Sequence, residues 1–314
     1  MNNGSGAQPL DQGYDIIGDI HGHADELVAL LRALGYVKTG GAFRHPDGRK
    51  AIFVGDFIDR GPKIRQVLET VRSMVEAGSA LAILGNHEMN AMRFHTLGKD
   101  GEPLRPHTSK NVGQHRATLE QFPDRDEWMG WIDWFAGLPL FLDLGRLRVV
   151  HACWDARAVE GTREIGRLEN DVLEKYSRRG TTEYDVISQI LNGPEALLPS
   201  GFGHRTADGI IRRAFRVKWW LDLTGMTCRE AVFPSSDELP ELPPVNIPAT
   251  GYPQDGPPTF FGHYAVMDSK PLPVTRKLAC LDYGSGKGGF LCAYRWDGEE
   301  EIEPAKFLTA RRRV

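Results

Sequence analysis

Gly18-Asp19-Ile20-His21-Gly22, then Gly55-Asp56-Phe57-Ile58-Asp59-Arg60-Gly61, then Gly85-Asn86-His87-Glu88 are the stretches on which the reading of this chain turns. Each follows a short apolar run: Tyr14 to Ile17, Ala51 to Val54, and Ala80 to Leu84. Two later runs end the same way, Leu147 to Val150 before His151 and Thr259 to Phe261 before Gly262-His263. Short runs rich in β-branched and aromatic residues, bounded by glycine, are what buried strands look like. The first two are followed by helical periodicity, Leu27, Leu30, Leu31 and Leu34 before Gly35, and Ile64, Val67, Leu68, Val71 and Val75 before Gly78. Strand and helix in alternation predict an α/β layered fold with largely parallel strands. Ligands in such sheets collect beyond the carboxyl ends of the strands. All five polar clusters are expected at that end.

The residue types found there suit metal ions. Asp19, His21, Asp56, Asn86, His151 and His263 offer carboxylate, amide and imidazole donors, a set fitted to borderline or hard divalent cations such as Mn²⁺, Fe²⁺ or Zn²⁺. Asp56 can bridge, because a carboxylate has two oxygens. Two ions about 3.5–4 Å apart clamp a phosphoryl group and generate hydroxide near neutral pH. An Asp or His after a strand taken singly is more often a helix cap than a ligand; three motifs in order favour ligands. Gly203-His204 resembles Gly262-His263, but only His263 stands between two strand-like runs, and it is preferred. His23 and Glu88 read as residues of helix starts, Trp219-Trp220 as core, and His45, His95, His107 and His115 as surface residues.

The three blocks resemble the signature motifs of calcineurin-like metallophosphoesterases, and the Asp59-Arg60-Gly61 ending resembles their phosphoprotein phosphatase branch, which holds Ser/Thr protein phosphatases and symmetrical bis(nucleosyl)tetraphosphatases. Leu281-Asp282-Tyr283-Gly284 is similar to a strand of the bacterial tetraphosphatases. The resemblance implies a β-sandwich flanked by helices. It implies two divalent ions, Mn²⁺ in the first place, with Asp19, His21 and Asp56 on one and Asp56, Asn86, His151 and His263 on the other. It implies direct attack of a metal-bound hydroxide on phosphorus, His87 as proton donor oriented by Asp59, and Arg60 as phosphate ligand. The phosphatases' Gly-Gly pair is absent after His151, where Ala152-Cys153-Trp154 stands. Their second phosphate-binding arginine has two candidate sources, Arg229 and the cluster Arg212, Arg213 and Arg216.

A single domain over residues 1–314 is expected, with helical cap insertions at about 92–136 and 155–200. Residues 234–258 carry eight of the twenty prolines and read as a stiff irregular loop. Lys277 to Asp282 and Phe290 to Trp296 read as a hairpin around Gly284-Ser285-Gly286-Lys287-Gly288-Gly289, a run without phosphate-loop spacing. The net charge of −4 gives no bulk attraction for nucleic acid or an anionic membrane, and Arg311-Arg312-Arg313 is too short to change that. No apolar run is long enough to span a bilayer. The opening residues lack the features of a secretory signal, and Cys153, Cys228, Cys280 and Cys292 form no CxxC pair, so a cytoplasmic protein with free thiols is expected. The expected partner is a phosphorylated substrate. The expected function is a Ser/Thr-phosphatase-like phosphoesterase, with dinucleoside polyphosphate (diadenosine tetraphosphate) hydrolysis as the alternative and a non-catalytic binding module behind both.

Overall fold

The computed structural model describes residues 12–205, 211–246 and 251–311. The opening residues 1–11 and Arg312-Arg313 lie outside them, as do residues 247–250 of the proline-rich segment. Two sheets carry the architecture. Numbering their strands in chain order gives β1 (Tyr14–Ile17), β2 (Lys50–Phe53), β3 (Ala80–Ala82), β4 (Phe141–Asp143), β5 (Arg148–Val150), β6 (Thr259–Phe261), β7 (Leu278–Cys280), β8 (Asp282–Tyr283), β9 (Phe290–Trp296) and β10 (Phe307–Arg311). The first sheet has six strands in the order β8–β9–β1–β2–β3, with β10 also on β9. The second has four in the order β7–β6–β5–β4.

The strands are parallel where the sequence pattern placed the site and antiparallel at the flanks. β1, β2 and β3 run parallel, with Ile17 opposite Phe53 and Phe53 opposite Ala82. β9 runs antiparallel to β1. In the second sheet β5, β6 and β7 are parallel and β4 is antiparallel to β5.

Side chains alternate across each strand, and the two faces have different partners. Ile16, Ile52, Val149, Phe260, Ala279 and Tyr294 are fully buried in one cluster between the sheets. Ile17, Phe53 and Ala51 point the other way, where α1 (Ala24–Ala33) and α2 (Ile64–Glu76) cover the first sheet. Val150, Phe261 and Cys280 share that outer cluster with Ile187, Ile190 and Leu191 of the helix Thr182–Asn192. The result is a β-sandwich with helices on its faces.

Three expectations change. Leu278–Cys280 and Asp282–Tyr283 are not one hairpin strand: the chain leaves the second sheet after Cys280 and pairs with β9 from Asp282. Only β8 and β9 flank the glycine-rich turn. The segment 92–136 is not all cap, because the helix Arg125–Ala136 puts Trp128, Ile132 and Phe135 into the core. His115 is buried, 1% exposed. The four cysteines are free and buried, and Trp219 is core at 3% exposure. Among the described residues no helix is long and apolar enough to cross a membrane.

The crossing at Leu281 is tight. A Cβ on Gly18 would lie 2.0 Å from the Leu281 carbonyl oxygen, and that atom is backbone and cannot step aside. Gly18→Ala is expected to cost about 1–3 kcal/mol through overpacking, read as a lowered midpoint in thermal denaturation. An unchanged midpoint would mean that β1 and the Leu281 crossing are not packed in this way.

Candidate active site

The parallel strands deliver their carboxyl ends to one place. Asp19 and His21 follow β1, Asp56 follows β2, Asn86 and His87 follow β3, His151 follows β5 and His263 follows β6. Five residues in these loops, His21, Asp56, Asp59, Arg60 and His263, have φ between 47° and 67°. Left-handed backbone at non-glycine residues is strained and clusters at functional sites. The surrounding hydrogen bonds hold it in place. The Asp56 carbonyl accepts from the backbone N–H of Ile20 and of His21. Glu88, fully buried, accepts from four backbone N–H groups, those of Asp56 (2.8 Å), Phe57 (2.8 Å), Ile58 (3.3 Å) and Gly85 (3.1 Å). Burial and the Asp56 carboxylate push the Glu88 pKa up; the four donors oppose this and fit an ionised carboxylate, whose protonated form would bring an extra O–H among donors only. Glu88 therefore serves more than the start of the helix Asn86–His95: it ties two of the signature loops together.

The two sheets meet through imidazoles. His151 Nδ1, from the second sheet, donates to the Val54 carbonyl of the first at 2.8 Å, and among the loops of the first sheet His21 Nδ1 donates to the Ile58 carbonyl at 2.9 Å. In a neutral ring this leaves Nε2 as a bare electron pair. His151 Nε2 then faces Asn86 Oδ1 at 2.9 Å and Asp56 Oδ1 at 3.4 Å, and His21 Nε2 faces Asp56 Oδ2 at 3.5 Å. His263 Nδ1 lies 2.9 Å from the same Asn86 oxygen. The Asp19 carboxylate accepts the His263 N–H through Oδ2, at 3.0 Å, while its Oδ1 is buried without a partner. A Cβ on Gly262 would fall 1.9 Å from that oxygen, so glycine is required there.

Electron-pair donors pointed at each other need a cation between them. The charge pattern agrees. Burial, then the carboxylates of Asp282 and Asp56, raise the Asp19 pKa well above its usual range. Burial, then His87, push His21 down to about 3; burial, then the Arg216 guanidinium, push His263 well down. The site thus holds neutral imidazoles and crowded carboxylates, a set that divalent ions fit. Two groups of donors lie within 4.8 Å of one another: Asp56 with His151 and His263, and Asp56 with His21 and His87. Distance alone puts His87 in the second group, where the sequence reading has Asp19. His87 has other partners. Its Nδ1 bonds Asp59 Oδ2 at 2.5 Å, and its Nε2 lies 3.4 Å from the Arg60 guanidinium, where a metal ion would meet a second positive charge. Burial lowers the His87 pKa, but Asp56 and Asp59 outweigh it and hold it above the ordinary imidazole value.

Asp59 is fixed from the helix Ser109–Gln121, which sequence motifs did not connect with the site. Asp59 Oδ1 accepts from His115 Nδ1 (2.8 Å) and Thr118 Oγ1 (2.6 Å), and the Asp59 N–H donates back to Thr118 Oγ1 at 3.1 Å. Burial would raise the Asp59 pKa; hydrogen bonds from His115 and His87 override it and hold the carboxyl well below its usual range. The spacing of His115 and Thr118, three apart on one helix face, was the available signal.

These residues open into a cleft of about 560 Å³. Arg60, Arg105, Arg116, Arg216 and Lys287 line it. Arg216 reaches it from the strand Ala214–Arg216, its guanidinium 3.5 Å from the His263 carbonyl. Arg229 is elsewhere, paired with Glu241 and the Leu239 carbonyl. Neither Arg212 nor Arg213 lines the cleft. His204 bonds the Ala214 carbonyl and is no part of the donor cluster.

The sequence pattern of the calcineurin-like phosphoesterases matches residues 14–215, more than half of the chain and all three signature loops. The chain belongs to that family. Among its curated relatives, a protein named bis(5'-nucleosyl)-tetraphosphatase PrpE [asymmetrical] from Geobacillus sp. (strain WCH70) is 42% identical over 142 residues, 44% of this chain and 56% of that protein. The protein of the same name from Bacillus subtilis (strain 168) is 46% identical over 172 residues, 53% of this chain and 62% of that one. The chain thus spans somewhat over half the length of these relatives. Their names carry the asymmetrical designation, whereas the motif resemblance pointed to the symmetrical kind. A solved protein serine/threonine phosphatase from Saccharomyces cerevisiae superposes with a TM-score of 0.50 at 13% identity, over 97% of this chain and 81% of that one; this likeness concerns the fold alone.

Removing the Glu88 carboxylate should loosen the whole site. Glu88→Ala leaves four buried N–H groups without their acceptor, each costing about 1–3 kcal/mol. The expected result is a large fall in the thermal midpoint, smaller for Glu88→Gln, which keeps an acceptor oxygen. Equal stability of Glu88→Ala and the parent would show that these bonds do not hold the loops.

Proposed function

We propose that this protein is a two-metal phosphohydrolase acting on polyphosphate chains, with dinucleoside polyphosphates as the substrate class. The observation that carries the choice is the charge of the cleft. Arg60, Arg105, Arg116, Arg216 and Lys287 line its walls and form no ion pair among the described residues, while the carboxylates of the same cleft, Asp19, Asp56, Asp59, Glu120 and Asp282, gather mainly at the donor cluster. With the carboxylates of the cluster neutralised by divalent ions when these are bound, the cationic walls suit a chain of phosphates better than one phosphate monoester. The names of the curated relatives support the same reading. The Ser/Thr-phosphatase-like alternative has the shared fold in its favour. A non-catalytic module is disfavoured because every expected donor is present at the cluster.

In this reading Asp19, His21 and Asp56 hold one ion and Asp56, Asn86, His151 and His263 the other. Divalent ions of the Mn²⁺, Fe²⁺ or Zn²⁺ class, when bound, supply Lewis-acid charge to the phosphoryl oxygens and activate water. The chain's own residues do the rest. Arg60 and Arg216 grip phosphoryl oxygens with planar forks of donors. His87 carries a proton on Nε2 toward the leaving oxygen, and Asp59, held by His115 and Thr118, fixes the ring by accepting from Nδ1. His115 is thereby a positioning residue.

Two experiments test this. With Mn²⁺ added after chelator stripping, hydrolysis of diadenosine tetraphosphate should exceed that of a phosphoserine peptide in kcat/KM and should fall with added salt; activity of the stripped protein equal to that of the loaded one would contradict metal dependence, and preference for the peptide would contradict the substrate class. His87→Asn should lose about 10²–10⁴-fold on an alkyl phosphate and much less on p-nitrophenyl phosphate, whose leaving group needs little protonation. Equal losses on both, or loss of bound metal, would remove His87 from the proton-donor role.

A further inference from the structure

A second cavity, of about 620 Å³, adjoins the cleft. Arg60, Ala117 and Glu120 line both, so they form the partition between them. One wall of the second cavity is the glycine-rich turn, with Gly286, Gly288 and Gly289, continued by Phe290 and Leu291. The turn is held in place by Ser285 Oγ, which donates to the Asp19 carbonyl at 2.6 Å, and by left-handed backbone at Gly284 and Gly288. The start of α1 supplies the remaining charge, in Glu26.

Glu26 is the unusual group here. It is nine-tenths buried, 9% exposed. Its carboxylate makes no hydrogen bond with any described residue. His23 Nδ1 stands 3.7 Å from Oε1, an ion-pair distance for a protonated ring but beyond hydrogen-bond reach. A carboxylate in a largely enclosed setting is stabilised by hydrogen-bond donors, and Glu26 lines a cavity with room for a ligand that brings them. A vicinal diol presents two O–H groups to the two carboxylate oxygens, the pairing by which acidic residues bind ribose in other nucleotide sites. The three glycines, with Phe290 and Leu291 beside them, let a planar base lie close against this wall. Arg60, in the partition, stands where a phosphate attached to that ribose would cross into the charged cleft.

We infer that this second cavity is a nucleoside subsite: Glu26 accepts both ribose hydroxyls, the base lies along the glycine-rich turn, and the phosphate chain passes Arg60 toward the metal-ligand cluster. This rests on the polyphosphate reading above and names the end group of its substrate. It also assigns a role to the glycine-rich run, which lacks phosphate-loop spacing and contributes shape instead.

The test is equilibrium binding, which needs no turnover. Mn²⁺-loaded protein is titrated calorimetrically with adenosine 5'-monophosphate and with its 2',3'-dideoxy analogue. Loss of hydrogen bonds to a charged acceptor should weaken the analogue by about tenfold or more. In Glu26→Gln the ratio of the two affinities should collapse toward one. Equal affinity of the two nucleotides for the parent protein overturns the subsite without any variant, and so does a ratio that survives in Glu26→Gln. Failure of the polyphosphate reading is a separate result: diadenosine tetraphosphate left intact by a protein that hydrolyses p-nitrophenyl phosphate.

Discussion

The buried carboxylate of Asp56 is the point on which the rest of the structure depends. It sits at 2% exposure, with its backbone in the left-handed region, a conformation that costs an L residue about 1–2 kcal/mol. Its N–H is bonded to Glu88, its carbonyl takes the N–H groups of Ile20 and His21, and its Oδ1 takes the N–H of His87. Three of the five strand ends that deliver the cluster are therefore referred to one residue. Both sheets are locked to the same point, because His151 bonds the Val54 carbonyl two residues before Asp56 and its Nε2 faces the Asp56 side chain. Close-packed strands, glycines with no room for a Cβ and strained loops are what hold the opposed electron-pair donors together in the absence of any other contact that would favour them.

Electrostatics divides the site into two parts. The floor is acidic and imidazole-rich: burial, then Asp282 and Asp56, raise the Asp19 pKa, burial and Asp56 raise that of Asp282, and at Asp56 itself the facing imidazoles outweigh burial and hold the carboxyl down. The walls are cationic, and Lys287 is held below its usual pKa by burial and by Arg60. Divalent cations, when bound on the floor, would neutralise its carboxylates and leave the cationic walls to face an anionic ligand. The helix Ser109–Gln121 joins both parts. One face holds Asp59 through His115 and Thr118, and the same helix lends Arg116 to the cleft and Ala117 and Glu120 to the partition with the second cavity.

Much of this was legible because the ligands are local in sequence. A strand, a glycine and a donor residue recur, and each glycine is there because a side chain would collide, at Gly18 with Leu281 and at Gly262 with Asp19. His263 could be preferred to His204 on flanking strands alone, and the structure sets His263 beside Asn86. Tertiary contacts hid the remainder. His115 reads as a surface histidine because its spacing from Thr118 marks a shared helix face but does not show that this face folds down onto Asp59. Arg216 could not be separated from Arg212 and Arg213, since their placement depends on the pairing of Ala214–Arg216 with Glu195–Leu197. The split of Leu278–Tyr283 between two sheets was masked by continuous burial, which looks the same for one long strand and for two short ones.

The central claim is that Asp56 is shared between two metal ions at the junction of the sheets. Anomalous diffraction at the manganese absorption edge, from crystals of the Mn²⁺-loaded protein, tests it most directly. The account predicts two peaks, one on the side of His21 and Asp19 and one on the side of Asn86, His151 and His263, both in contact with the Asp56 carboxylate. A single peak, or two peaks of which one avoids Asp56 and sits on His87, would contradict it.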